Sequence, residues 1–251
     1  MLAYLPKYDE VWVGDASTRA MVILDPETLT EKARITLPTA PTAGLYDETT
    51  DTFLIQNDGV DSKLSYSTLN WISPRTHRIE HQLRFEATNL EGMVIDYPKN
   101  RLYINVRDQR DIAVVDMKTH QVIATWEDAD FNLNTPIALD TTHNRLFVAG
   151  RKPGRFYVLD TNTGKVVQSM DCINIADQMT WDPRDRRIYM TGSQGISIFH
   201  QETPDTYSKV GEFPTNGGKI STLDEQSRLF YIAHPSSSLD DAGLEVFSAM
   251  P

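Results

Sequence analysis

Short apolar runs separated by polar turns recur along the chain. One phrase is an apolar segment ending in Asp, a polar turn, then a basic or polar residue opening an apolar-aromatic run. It reads Gly44-Leu45-Tyr46-Asp47 with Thr52-Phe53-Leu54-Ile55, and Met93-Val94-Ile95-Asp96 with Arg101-Leu102-Tyr103-Ile104. Later copies end in Asp140, Asp182 and Asp224 and resume at Arg145, Arg187 and Arg228, while a weaker copy carries Glu10-Val11-Trp12-Val13. A second phrase follows each first one. Met21 to Asp25 leads to Ala33-Arg34-Ile35, Ile112 to Asp116 leads to Gln121 to Trp126, and Phe156 to Asp160 leads to Lys165-Val166-Val167. Degenerate versions are Asn70-Trp71-Ile72-Ser73, Ile196 to His200 and Leu244 to Phe247. Runs this short, rich in Val, Ile, Tyr and Phe and bounded by turn residues, predict antiparallel strands. No longer stretch holds a 3.6-residue period, so helix is expected to be essentially absent.

Two phrases make four strands, and the unit repeats every 42 to 49 residues, measured between Asp47, Asp96, Asp140, Asp182 and Asp224. Four-stranded units repeated radially describe a β-propeller blade. The expected fold is all-β: one propeller domain over 1–251, with six four-stranded repeats at about 1–37, 41–85, 90–126, 135–170, 176–213 and 216–251. The last repeat lacks its outermost strand. The recurring Asp residues have a local cause, because an Asp side chain accepts a hydrogen bond from the backbone two residues on and fixes the turn. Asp25, Asp47, Asp96, Asp116, Asp140, Asp160, Asp182 and Asp224 are therefore assigned to structure. Trp12, Tyr103, Phe147, Tyr189 and Phe230 fall at equivalent second-strand positions and are expected in the core between blades.

The stretches NRLYINVRDQRDIAVVDMKTHQVIATW (100–126), NRLFVAGRKPGRFYVLDTNTGKVVQSM (144–170) and GISIFHQETPDTYSKVGEFPT (195–215) resemble the YVTN-type, YncE-like β-propeller family. The resemblance implies a propeller usually of seven blades, often exported to the periplasm, mostly without assigned catalytic residues. With strands named a to d outward from the axis, the chain starts in a strand a and stops in a strand c. Against the family this predicts a sequence shortened at its N-terminus and an incomplete seven-bladed ring. The alternative is a six-bladed ring whose last blade has three strands.

Composition narrows function. Of 251 residues, 40% are apolar and 24% charged, which excludes disordered and fibrous classes. A net charge of −11 opposes binding of nucleic acid through the whole surface. No apolar run approaches the ~20 residues of a membrane helix, so no membrane insertion is expected. The opening residues carry no signal-peptide pattern. The single cysteine, Cys172, excludes an internal disulfide and is expected to be a half-buried, inert thiol.

Candidate chemistry falls on the variable d–a and b–c loops. Glu91, Asn134 and Asp177 enter strands a of successive blades and could converge on a hard cation, Ca²⁺ or Mg²⁺. Leu90-Glu91-Gly92 faintly resembles six-bladed lactonases of the regucalcin and gluconolactonase type, which implies a metal-dependent hydrolase or lyase with His234 as a candidate base. A second set is basic. Arg107 and Arg110 in one b–c loop, with Arg151, Lys152 and Arg155 in the next, would form a positive patch for phosphate or carboxylate ligands. Gln178 and Lys219 join it from the channel side. In the opposing view Asp108 and Asp111 neutralise these arginines on a solvated rim. The Asn57-Asp58-Gly59-Val60-Asp61 loop is expected to be a polar turn. The favoured function is a non-catalytic ligand-binding or scaffolding propeller whose partner is a small molecule or protein. Alternatives are the metal-dependent hydrolase and a polyanion or nucleic-acid binder. The protein is expected to be a monomer, or a dimer through an open blade edge.

Overall fold

A computed structural model describes residues 1–128, 130–236 and 241–249. Blade 1 comprises β1 (Leu2–Leu5), β2 (Glu10–Asp15), β3 (Ala20–Leu24) and β4 (Glu31–Thr36). Blade 2 comprises β5 (Ala40–Asp47), β6 (Thr52–Asp58), the one-turn helix α1 (Gly59–Ser62), β7 (Ser67–Ser73) and β8 (Arg78–Phe85). Blade 3 is β9 (Leu90–Asp96), β10 (Arg101–Val106), β11 (Asp111–Asp116) and β12 (Gln121–Glu127). Blade 4 is β13 (Ile137–Asp140), β14 (Arg145–Arg151), β15 (Gly154–Asp160) and β16 (Val166–Asp171). Blade 5 is β17 (Ala176–Asp182), β18 (Arg187–Gly192), β19 (Gly195–Thr203) and β20 (Thr206–Phe213). Blade 6 holds β21 (Ile220–Asp224), β22 (Leu229–His234) and β23 (Gly243–Ser248). All pairings are antiparallel between consecutive strands, giving five four-stranded sheets and one three-stranded sheet among the described residues. The protein is an all-β six-bladed propeller.

Burial explains why the strands read as they do. Middle strands such as β10 and β14 are covered on both faces by neighbouring blades, so their apolar residues run consecutively. Outer strands such as β8 alternate exposed and covered positions, because only one face meets a neighbour. Each joint between blades is its own apolar cluster. Leu102 and Ile104 face blade 2, whereas Tyr103 faces blade 4. The aromatic series lies in these joints as expected: Trp12 packs on Phe53 with ring centroids 4.9 Å apart, and Tyr189 stacks on Phe230 at 4.9 Å.

All eight assigned Asp residues fix turns. Asp116 Oδ1, for example, accepts from the backbone of Lys118 at 2.9 Å and Thr119 at 2.7 Å, and the other seven repeat the pattern. Asp9, Asp51, Asn100 and Asn144 each precede a strand b with φ between 51° and 58°. Asp and Asn tolerate that left-handed conformation better than other residues with a Cβ. The loop expected to be a plain polar turn is instead α1, because Asp58 Oδ1 caps it by accepting from Val60 N at 2.6 Å.

The inner strands pack in the order β1, β5, β9, β13, β17, β21, but β21 and β1 share no comparable contact. The faces that blades 6 and 1 turn toward this sector are apolar and uncovered: Leu2 is 72% exposed and Ile220 62%, with Tyr4, Leu244 and Val246 each at least half exposed. Among the described residues, the sixth and first blades do not pack together as the other neighbouring blades do.

Candidate functional site

The inner strands of all six blades enclose a channel of about 770 Å³, lined by Thr42, Gly92, Met93, Pro136, Ile137, Asp177, Gln178 and Ile220 among others. Backbone hydrogen bonds set the height of the side chains at its mouth. Arg107 N donates to Asn89 O at 2.9 Å in blade 3, and Arg151 N donates to Asn132 O at 3.0 Å in blade 4. The bonds tie Arg107, just after β10, and Arg151, the last residue of β14, to the adjacent d–a loops.

Five charged side chains gather beside the channel, with Asp177 among the residues that line it. Arg107 Nη1 lies 2.8 Å from Glu91 Oε1, Arg151 Nη2 lies 3.0 Å from Asp177 Oδ1, and Lys219 Nζ lies 3.6 Å from Asp177 Oδ2. Burial pushes the Glu91 carboxyl above its ordinary pKa, and Asp177 adds to this, while the charges of Arg107 and Arg151 oppose it. That Glu91 feels both Arg151 and Asp177 shows that the blade 3 and blade 4–5 pairs form one electrostatic unit. Three cations face two carboxylates, with Gln178 beside them on the channel wall.

The remaining candidates lie elsewhere. Asn134 is fully buried; its Nδ2 donates to Asn105 Oδ1 at 3.0 Å and Asp111 O at 2.9 Å, and its Oδ1 has no partner among the described residues. The expected patch of five basic residues divides. Arg155 faces its cross-strand neighbour Asp171, reached at 2.7 Å, and Ser169 Oγ at 2.9 Å, well away from the Arg151 pair. Lys152 offers its carbonyl to Asn132, and Arg110 occupies a left-handed turn position with φ 62°. The expected neutralisation by Asp108 and Asp111 does not occur. Asp108 accepts from Thr88 N at 2.8 Å and Thr88 Oγ1 at 2.9 Å, folding the d–a loop. Asp111 is 5% exposed, its Oδ1 lacks a partner among the described residues, and burial above all, then Glu127 and Asp108, raises its pKa to about 6.

His234 ends β22 with Nδ1 3.2 Å from Pro235 O and shares no bond with the channel charges among the described residues. Ser237 and Ser238 of the adjoining loop lie outside the described residues. Burial lifts the Cys172 thiol to a pKa of about 12, consistent with an inert role. Among the described residues no three His, Cys, Asp or Glu side chains are grouped to hold a metal ion. The sequence pointed to both halves of the charge cluster but as separate sites. The missed signal was positional: Glu91 and Asp177 recur at the start of strand a, Arg107 and Arg151 at the end of strand b.

Fold and channel define a β-propeller with a charged mouth. No family model matches the chain. It is 21% identical over 221 residues to an uncharacterised protein YncE of Salmonella typhi, covering 82% of this chain and 60% of the relative. The Salmonella typhimurium protein of the same description matches equally, so the chain spans 60% of the length of these curated relatives. Solved structures of the same fold include a chain of a mitotic checkpoint complex (TM-score 0.80, 14% identity, 98% of this chain and 75% of that one). A functionally unknown protein from Desulfotomaculum acetoxidans gives TM-score 0.78 at 12% identity, over 98% of this chain and 81% of that one. The β-propeller domain of Myceliophteria thermophila Cps50 (Swd1) gives 0.71 at 11%, over 99% and 82%. Sequence and architecture together make this chain a β-propeller protein with a weak sequence similarity to YncE.

Proposed function

We propose that the protein is a non-catalytic binding propeller that takes a small carboxylate- or phosphate-bearing molecule at the mouth of its channel. The observation that carries this reading is the Glu91–Arg107 and Asp177–Arg151–Lys219 cluster. Each arginine is oriented by one carboxylate and keeps further N–H donors, the arrangement that suits planar oxyanions. The channel volume of about 770 Å³ fits a ligand of metabolite size. The divalent-cation hydrolase reading, with Glu91, Asn134 and Asp177 as ligands, requires Arg107, Arg151 and Lys219 to release their carboxylates beside an incoming cation, which like-charge repulsion opposes.

Thermal melting of the whole chain with phosphate, citrate, Ca²⁺ or Mg²⁺ tests this. A ligand at 100 times its dissociation constant adds about 2.7 kcal/mol of stability. Anions should raise the melting temperature of the wild type and not of Arg151→Ala. A shift with Ca²⁺ or Mg²⁺ and none with any anion would overturn the reading in favour of the cation site.

A further inference from the structure

The first residue of strand c is small and uncharged in five blades: Ala20, Ser67, Gly154, Gly195 and Gly243. In blade 3 it is Asp111. The repeat therefore has no structural need for a carboxylate at this place. Strand alternation fixes where the side chain points. Ala113 and Val115 pack into the joint with blade 2, whereas Ile112 and Val114 face blade 4. Asp111, in step with Ala113, turns toward blade 2. There it lines a slot of about 110 Å³, walled by Phe85 at the end of β8 and by Val106, Ala113, Val122 and Thr125 of blade 3.

This carboxylate lacks the partner that its burial calls for. Asp111 is 5% exposed, and its Oδ1 is buried with no hydrogen-bond partner among the described residues. The acids nearby are already engaged. Asp108 accepts from Thr88 N at 2.8 Å and Asn89 N at 3.3 Å, and Glu86 holds Arg84 Nε at 2.8 Å. Glu127, opposite Asp111 in the ladder between β11 and β12, brings a second negative charge where a cation is wanted. Residues 129, 237–240 and 250–251 contain no Lys, Arg or His to supply one. A buried charge without a counter-charge costs free energy, and the raised pKa of Asp111 expresses that cost.

We infer that the slot binds a small primary alkylammonium ion: the ammonium sits on Asp111 with Glu127 beside it, and the alkyl stem lies against Phe85, Val106 and Val122. A primary ammonium brings three N–H donors to a carboxylate that has none, and its stem suits the apolar part of the wall. Volume sets the length. At about 30 Å³ per water-sized group, the slot holds about four heavy atoms, far fewer than a drug-sized ligand. A hard metal cation suits it less. Ca²⁺ takes about six to eight oxygen ligands, and no three acidic side chains are grouped to hold a metal among the described residues. The slot lies between blades 2 and 3, takes a cation, and is independent of the anion site proposed in the channel.

The test is a titration of n-propylammonium chloride into the ¹⁵N-labelled whole chain at neutral pH, where Asp111 is ionised, against sodium chloride of equal ionic strength. Amide signals of Val106, Asp111 and Ala113 should shift saturably, with the millimolar affinity that so few ligand atoms allow. Neither n-propanol, which lacks the charge, nor tetramethylammonium, which lacks N–H donors, should reproduce the shifts. Asp111→Asn keeps the shape and removes the buried charge, so it should fold at least as stably and yet bind at least about tenfold more weakly. No saturable shift at these residues overturns the inference. So does the same shift with sodium or n-propanol, or full affinity in Asp111→Asn.

Discussion

Arg151 Nη2 lies 3.0 Å from Asp177 Oδ1, joining the end of β14 in blade 4 to the start of β17 in blade 5. The pair ties two blades at Asp177, a residue of the channel wall. Its partner unit, Arg107 on Glu91, lies within blade 3. The side chains that join the blades are thus the ones proposed to bind the ligand, and removing one charge should redistribute the others.

Glu91→Gln makes that concrete. The substitution keeps the shape, removes a carboxylate already held above its ordinary pKa by burial, and frees Arg107. Affinity for phosphate or citrate should rise several-fold, because a competing internal anion is gone. A cation site would respond in the opposite sense, losing a ligand. Calorimetric titration of the variant separates the two, and unchanged or weaker anion binding contradicts the channel assignment.

Asp111 predicts a pH dependence whose sign can be worked out. Its folded pKa of about 6 lies above the ordinary carboxylate value, so the folded state binds more protons than the unfolded state between about pH 4 and 6. Stability contributed by this group is present below pH 4 and declines as pH rises to 6. Asp111→Asn should flatten that part of the curve and stabilise the protein at pH 7 by about 1–2 kcal/mol. Urea melts of both proteins at pH 4.5 and 7 give the comparison, and an equal difference at the two pH values refutes it.

The architecture was readable because its causes are periodic: turn-fixing Asp residues and joint aromatics recur at matching places in every repeat. Charge pairing was not readable. Arg107 and Arg155 look alike in sequence, yet Glu91 takes one and cross-strand Asp171 takes the other. The burial of Asp111 was hidden likewise, since it depends on how blades 2 and 3 meet.

The open sector predicts dye binding. Leu2, Tyr4, Ile220, Leu244 and Val246 form two uncovered apolar faces, and exposed patches of this kind bind hydrophobic dyes. The double variant Leu244→Ser, Val246→Thr should lower 8-anilinonaphthalene-1-sulfonate fluorescence. It should change stability by only about 0.5 kcal/mol, as exposed substitutions do. Undiminished dye fluorescence would mean that the sector is covered in solution.

Gly164 closes the c–d turn of blade 4 with φ +72°. Left-handed geometry alone does not demand glycine there, because Leu29, His77 and His120 hold the matching position in the first three blades with φ between 53° and 56°. What differs is Trp126, whose ring comes from strand d of blade 3 and lies 2.4 Å from where a Cβ on Gly164 would stand. Trp126 in turn packs on Tyr103 with centroids 5.2 Å apart, so it cannot move freely. Gly164→Ala should therefore cost about 2–4 kcal/mol, roughly 1 from the backbone conformation and the rest from displacing the indole. In Trp126→Leu the same Gly164→Ala change should cost only about 1 kcal/mol, a coupling that a double-mutant cycle reads directly. Equal costs in the two backgrounds would show that turn geometry, and not the neighbouring blade, selects the glycine.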